Sequence, residues 1–260
     1  MPKYRNTQEY RNKIDQVFKE TKDEDFWGLY KEDFINYKTF ELRKYYAEYI
    51  SKNILTIKEK FQKKDPVKRK PRGNNTYFLD HSECKVNESE REEENFVKEI
   101  VIKRRKIRKL GIPFYFQLPI KDEQKSDKGK SDYGKIDLLT YTGRGTIYIV
   151  EVKYADSEES ALRAILEIAA YYHLLGGKEP REEDSGISKI LKEANGKRFI
   201  YKDSEYTVKN AKKIKMAVLF FEGTKPAEDV KKIKEIKKIA KELDVKIVVA
   251  DPEELGLTSK

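Results

Sequence analysis

The sequence predicts an α/β chain with an α-helical N-terminal region, and three observations carry that prediction. Two β-favouring runs flank a glycine-rich break in GKIDLLTYTGRGTIYIVEVK, residues 134–153. Amphipathic helical segments alternate with further apolar strands from Glu88 to the last strand, VKIVVAD. Before residue 81, aromatic residues recur at spacings of three and four. Half of the chain's aromatics lie there, which suits packed helical faces better than scattered surface positions.

Taken in order, residues 1–62 read as the helical N-terminal region, with FWGLYKEDFINYKTFELRKYYAEYI supplying a helical core or a dimer surface. Residues 63–80 read as a basic linker, because KFQKKDPVKRKPRGNN combines seven basic residues with two prolines and a GNN turn. Residues 81–260 form the main domain. ESEREEENFVKEIVIKRRKIRKLG is expected to be one helix with an acidic first turn, a Phe96, Ile100, Ile107 stripe, a basic last turn and a stop at Gly111. GIPFYFQLPI follows as a strand, then a polar loop, then the 134–153 hairpin. DSEESALRAILEIAAYYHLLGG is the next helix, with Asp156 and Ser157 as cap candidates. About 176–212 is an insertion holding a short helix and a small hairpin. KIKMAVLFFEG is a buried strand, PAEDVKKIKEIKKIAKELD one helix starting near Pro226, and VKIVVAD the last strand.

The composition narrows the function classes. A charged fraction of 39% is well above the usual quarter or so, yet 38% hydrophobic content argues against global disorder. The net charge of +10 favours a polyanionic partner. Nucleic acid fits better than a membrane, since no apolar run is long enough to span a bilayer and no lipidation motif is present. MPKYRNTQEY lacks the apolar segment of a signal peptide. The single cysteine, Cys84, excludes an internal disulfide and a cysteine-rich metal site, so a reducing cytoplasm is the expected location.

Asp137, Glu151 and Lys153 stand among β-branched and aromatic residues, where an ionised group is costly unless it is paired or metal-bound. In a hairpin centred on Arg144, facing residues have numbers that sum to 288. Asp137 and Glu151 satisfy that sum, so their carboxylates face each other, and Lys153 shares their side of the strand. Ile136, Leu138, Val150 and Val152 point the other way. Two carboxylates so close repel unless a proton or a cation sits between them. Oxygen ligands favour Mg²⁺ or Mn²⁺, and Lys153 beside the ion is placed to hold or deprotonate a water, or to neutralise charge on a phosphoryl group.

This order of elements, with Asp137 in GKID and Glu151, Val152 and Lys153 in EVK, resembles the PD-(D/E)xK superfamily of restriction-endonuclease-like nucleases. The resemblance covers roughly residues 88–251. It implies a restriction-endonuclease-like core, a central mixed β-sheet flanked by helices. RecB-like members carry Q-x-x-x-Y in the helix after E-x-K; Glu167 and Tyr171 occupy those places here, with Glu in place of Gln. The resemblance implies that Asp137, Glu151 and the carbonyl of Val152 hold Mg²⁺ and that Lys153 positions the attacking water. It also implies an acid from the preceding helix. Glu92, Glu93, Glu94 and Glu99 are the candidates, with Glu93 preferred. His81 and His173 are expected to lie outside the site.

The expected function is a metal-dependent nuclease hydrolysing phosphodiester bonds, in DNA first and RNA second, for DNA processing, repair or defence. Lys103, Arg104 and Arg105 at the basic helix end, and Lys68, Arg69 and Lys70 in the linker, are the expected backbone contacts. The alternative is an inactive nucleic-acid-binding or interaction module on the same fold, and a homodimer through the N-terminal helices is compatible with either.

Overall fold

The computed structural model describes residues 7–22, 25–32, 35, 39–63, 65–66, 77–78, 92–121, 132–154, 159–177, 185–201 and 204–255. The N-terminal region contains α1 (Thr7–Glu20), a 3₁₀ helix (Phe26–Lys31), α2 (Phe40–Lys52) and α3 (Ile54–Lys63). Next come α4 (Glu92–Ile102), β1 (Ile112–Lys121), β2 (Asp132–Tyr141), β3 (Thr146–Lys153) and α5 (Ala161–Leu174). The insertion supplies α6 (Gly186–Ala194), β4 (Arg198–Tyr201) and β5 (Ser204–Thr207). The chain then forms β6 (Lys213–Phe221), α7 (Lys225–Lys232), α8 (Lys234–Glu242) and β7 (Val245–Ala250).

Five strands form one mixed sheet in the order β1-β2-β3-β6-β7, and β4 and β5 form a separate hairpin. β1, β2 and β3 are antiparallel, whereas β3, β6 and β7 run parallel. Parallel neighbours need crossovers, and α5 supplies the first while α7 and α8 supply the second. β3 lies at the centre and is buried along its whole length. Its flanks explain the composition, because a strand covered on both faces reads as a near-continuous apolar run, here TIYIV, interrupted only by Glu151 and Lys153. The β2–β3 register follows the expected sum of 288, with Leu138 opposite Val150 and Tyr141 opposite Ile147.

Three local expectations are corrected. The helix expected to run to Gly111 ends at Ile102, with no basic residue in its last turn. Arg104 adopts a left-handed φ of 52° and sets its guanidinium over the rings of Tyr201 and Tyr206, where it donates to the Phe199 carbonyl at 2.8 Å. That capture by the small hairpin outweighs the helix propensity of KRRKIRK. Ser160 is the N-cap of α5, accepting from the Arg163 N–H at 3.2 Å, so the helix starts later than a cap at Asp156 or Ser157 requires. The expected single helix after β6 breaks at Ile233 (φ −109°, ψ 100°). Its buried positions Val230, Ile233, Ile236 and Ile239 recur every three residues. Each such step falls about 60° short of a full turn, so an unbroken helix would rotate them off the core.

The N-terminal helices pack on the same core as the sheet, and Phe26, Tyr30, Tyr46 and Phe61 are buried in one apolar cluster with β3 and α5. Polar ties reinforce that packing. Arg43 of α2 donates through Nε to both carboxylate oxygens of Asp229 in α7, at 2.8 and 3.0 Å, and Lys58 Nζ donates to the Glu242 carbonyl at 3.0 Å. Asp229 is 1% exposed, and burial raises its pKa while Arg43 lowers it. Arg43→Ala strands that carboxylate and should cost about 3 kcal/mol of stability in urea denaturation; a loss below about 1 kcal/mol would mean that apolar packing alone holds the N-terminal helices.

Candidate functional site

The β2–β3 ladder stops one pair short of Asp137 and Glu151. At that opening Asp137 uses its side chain where a strand would use its backbone. The Val152 N–H donates to Asp137 Oδ2 at 2.9 Å, and Gln117 Nε2 of β1 donates to Oδ1 at 3.3 Å. The β1–β2 ladder is also interrupted here, between the pairs Phe116–Leu138 and Leu118–Ile136. Gln117, across from Asp137, has a φ of 52°, a conformation that costs an L-residue energy inside a strand. Both gaps fall on the same aspartate. Local strain at Gln117 therefore serves to fix the Asp137 carboxylate.

Glu151 is 3% exposed and receives Lys153 Nζ on Oε1 at 2.6 Å. Its Oε2 is buried with no hydrogen-bond partner among the described residues. Lys153 is held equally closely by Glu159 Oε2 at 2.7 Å, with Glu93 Oε1 at 3.9 Å. Glu93 stands on the first turn of α4 and also accepts from the Tyr154 N–H at 3.4 Å. Glu167, on α5, accepts from the Tyr171 hydroxyl at 2.7 Å. The oxygens of Glu151, Glu159 and Glu167 lie within 4.8 Å of one another. Arg163 pairs with Glu159 at 3.2 Å and approaches Glu167 at 3.9 Å.

Asp137, Glu151, Lys153, Glu167, Tyr171 and Glu93 are thus brought together, and Val152 enters through its N–H. Lys103 and Arg105 are exposed, Lys103 pairing with Glu99 of α4 from the turn just after that helix, while Arg104 is engaged by the small hairpin. Lys68, Arg69, Lys70 and His81 lie outside the described residues. His173 packs near the Phe61 ring rather than the carboxylates. Sequence reasoning missed Glu159, Arg163, Gln117 and Tyr30. The first two had a signal, since the four-residue spacing of Glu167 and Tyr171 continues backward to Arg163 and Glu159.

Tyr30 ties the N-terminal region to this site. Its hydroxyl lies 3.2 Å from the Tyr133 carbonyl and 3.4 Å from the Tyr171 hydroxyl, so Tyr30, Tyr171 and Glu167 form one chain of hydrogen-bonding groups. Ser160 Oγ donates to the Ile35 carbonyl at 2.5 Å and holds the start of α5 against the same region. Burial, with Glu167 next, pushes the Tyr171 pKa far above the phenol range, so it remains a donor. Gly134 of GKID explains how Tyr171 fits, because a Cβ there would collide with the Tyr171 hydroxyl and stand 2.7 Å from its ring carbon Cζ. The Gly134 φ of 134° also suits only glycine.

The electrostatics are lopsided. Among the described residues, five carboxyl groups, on Glu93, Asp137, Glu151, Glu159 and Glu167, are set against three cations, Lys153, Arg163 and Lys31, which lies within electrostatic reach of Glu167. Burial pushes the Asp137 pKa up to about 7, against the pull of Lys153. Burial, then Asp137 and Glu167, raise that of Glu151 well above the carboxylate range, and burial raises that of Glu93. Burial opposes the charge on Lys153, yet Glu151, Asp137, Glu93 and Glu159 together hold its pKa well above the usual lysine value. The donor set therefore suits a hard divalent cation: it is all oxygen, carries excess negative charge and keeps one buried carboxylate oxygen without a donor.

A carboxyl whose pKa is higher folded than unfolded stabilises the fold at low pH and loses that contribution as pH rises to the folded value. For Asp137 that window runs from the ordinary carboxylate value to about 7. The melting temperature of metal-free protein should fall across this window, and Mg²⁺ should raise it more above the window than below; an equal Mg²⁺ effect at both ends would refute the cation assignment. Gly134→Ala should destabilise by about 2–4 kcal/mol. Tyr171→Phe in that background should recover only part of the loss in denaturant titration, because the ring carbon still clashes. Comparison of the chain with protein-family models, curated protein sequences and solved structures gives no match.

Proposed function

We propose that this chain is a divalent-metal-dependent phosphodiesterase that hydrolyses nucleic acid, with DNA as the first substrate. The observation that carries the reading is the buried Glu151 carboxylate: one of its oxygens lies within 4.8 Å of oxygens of Glu159 and Glu167, Lys153 is in contact, and its Oε2 has no hydrogen-bond partner among the described residues. Glu151, Glu159 and Glu167 would hold the ion, with Asp137 and the Val152 carbonyl completing the oxygen set that the PD-(D/E)xK resemblance implies. A bound divalent ion supplies a Lewis acid for a phosphoryl oxygen and lowers the pKa of a coordinated water.

The chain's own residues do the rest. Asp137 is oriented by Val152 and Gln117 before any ligand arrives, which removes reorganisation from the reaction. Lys153 serves as a fixed cation that holds an anionic phosphate oxygen or orients water, because four surrounding carboxylates keep its proton in place. Tyr171, backed by Tyr30, orients Glu167. The apolar strip of Ile136, Leu138, Val150 and Val152, fully buried, keeps the hairpin from shifting register under this charge.

Purified protein should cleave linear, circular or single-stranded DNA in the presence of Mg²⁺ or Mn²⁺ and not in EDTA. Glu151→Gln and Lys153→Met should each lower the rate by about 100-fold or more while keeping the circular dichroism spectrum. Glu159→Gln should also lower it, with a raised metal requirement. Wild-type rates in Glu151→Gln and Lys153→Met would sink the assignment, as would an absence of cleavage of any DNA or RNA substrate with any divalent ion.

A further inference from the structure

The end of the sheet opposite the carboxylates has the reverse charge. β3, β6 and β7 all begin there, and β1 begins beside the end of β2. The β2–β3 loop, Gly143-Arg144-Gly145, packs against residues 209–212, the segment leading into β6. Both loop glycines are left-handed, with φ of 76° and 84°. A Cβ on Gly145 would press on the Asn210 carbonyl at 3.1 Å, and the Lys212 N–H donates to the Gly145 carbonyl at 2.8 Å. The Tyr141 hydroxyl donates to the Lys209 carbonyl and fixes the other side of the same segment.

This packing borders a surface pocket of about 370 Å³, open to solvent, lined by Arg144, Lys209 and Lys212 with the polar side chains of Asn210 and Thr207. All three cations are exposed, and none is ion-paired among the described residues. Lys213 and Lys109 stand at the same end, as does Asp244, the exposed residue before β7, while Glu205 of β5 is already bound to Arg198. On α7, by contrast, Lys231 and Lys232 are matched by Glu228. Like charges brought round a glycine-lined pocket without counter-charges raise a local positive potential, which draws a phosphate.

We infer that the pocket at the tip of the β2–β3 hairpin is a phosphate subsite, formed by Arg144, Lys209 and Lys212, that grips the nucleic-acid backbone away from the cut. This rests on the nuclease reading for its substrate class and extends it by a second anchoring point. Gly145 and Glu151 are six residue steps apart along β3, which places the two sites about 20 Å apart. At about 3.4 Å per base pair, that distance corresponds to about six base pairs of duplex. The subsite therefore acts as a ruler that favours substrates extending at least that far from the scissile bond.

The test is fluorescence anisotropy of the full chain with labelled DNA duplexes of about 20 and about 5 base pairs, in EDTA so that nothing is cleaved, across a range of salt. Arg144→Glu/Lys209→Glu/Lys212→Glu should bind the long duplex at least about tenfold more weakly, with a salt slope smaller by about two to three. The short duplex fills one anchoring point only, so wild type should bind it more weakly than the long duplex, and the variant should lose most of that binding. The glutamine triple should give a smaller loss without adding an acid beside Glu205. A control reversing Lys44, Lys52 and Lys237, all exposed on other faces, should stay near wild type. Equal losses in both charge-reversed triples, or none in the first, would overturn the subsite. Long-duplex binding that depends on the triple but leads to no cleavage with any metal supports the subsite while removing the nuclease reading. Cleavage by a triple that binds normally does the reverse.

Discussion

Burial of the Glu151 carboxylate is the constraint on which the rest of this structure depends. A charge in the central strand of a sheet has no water to turn to, so its surroundings must supply compensation. Lys153 supplies part of it on one oxygen. The other oxygen has no hydrogen-bond partner among the described residues, and the nearby Asp137 and Glu167 deepen the deficit rather than relieving it. Stability alone gives no reason to gather five carboxyl groups around three cations. An arrangement that costs stability in the empty state is what a site built for a cation looks like, because the missing charge is delivered by the ligand.

The surrounding architecture works to hold that frustrated centre in place. α4 brings Glu93, α5 brings Glu167 and Tyr171, and Glu159 comes from the residue before the Ser160 cap. The N-terminal helices are part of the same construction: Tyr30 backs Tyr171, Ile35 receives Ser160, and Arg43 neutralises Asp229 behind α5. The region that looks separable in sequence is therefore a wall of the site. Its aromatic richness is spent largely on internal packing, where rings meet edge to face, as Tyr30 does with Tyr171 at 5.8 Å.

Much of this is legible in the amino-acid order itself. The register of the hairpin follows from counting across Arg144, and it places Asp137, Glu151 and Lys153 together because strand side chains alternate without slack. Helix projection leaves Glu92 and Glu93 at the two borders of the Phe96/Ile100 face, and the contacts with Lys153 and Tyr154 single out Glu93. What escapes such reading depends on contacts far apart in sequence. Gln117 gives no sign that its backbone is left-handed, since the cause lies in Asp137 on the neighbouring strand. Arg104 ends α4 because Tyr201 and Tyr206 wait for it about a hundred residues later. The break at Ile233 has a local cause, a three-residue apolar period, which is easily mistaken for a helical one.

The stop in the β2–β3 ladder also bears on the order of events in folding. The hairpin is a local structure, and its acids are solvated when it first forms, so they oppose nothing at that stage. Their repulsion is felt only when α4, α5 and the N-terminal helices close over them. A cation bound at Glu151 thus acts on contacts made late, lengthening the lifetime of the closed chain far more than it hastens closure. On the proposed reading, a metal held there would be a latch on unfolding kinetics as much as a chemical group.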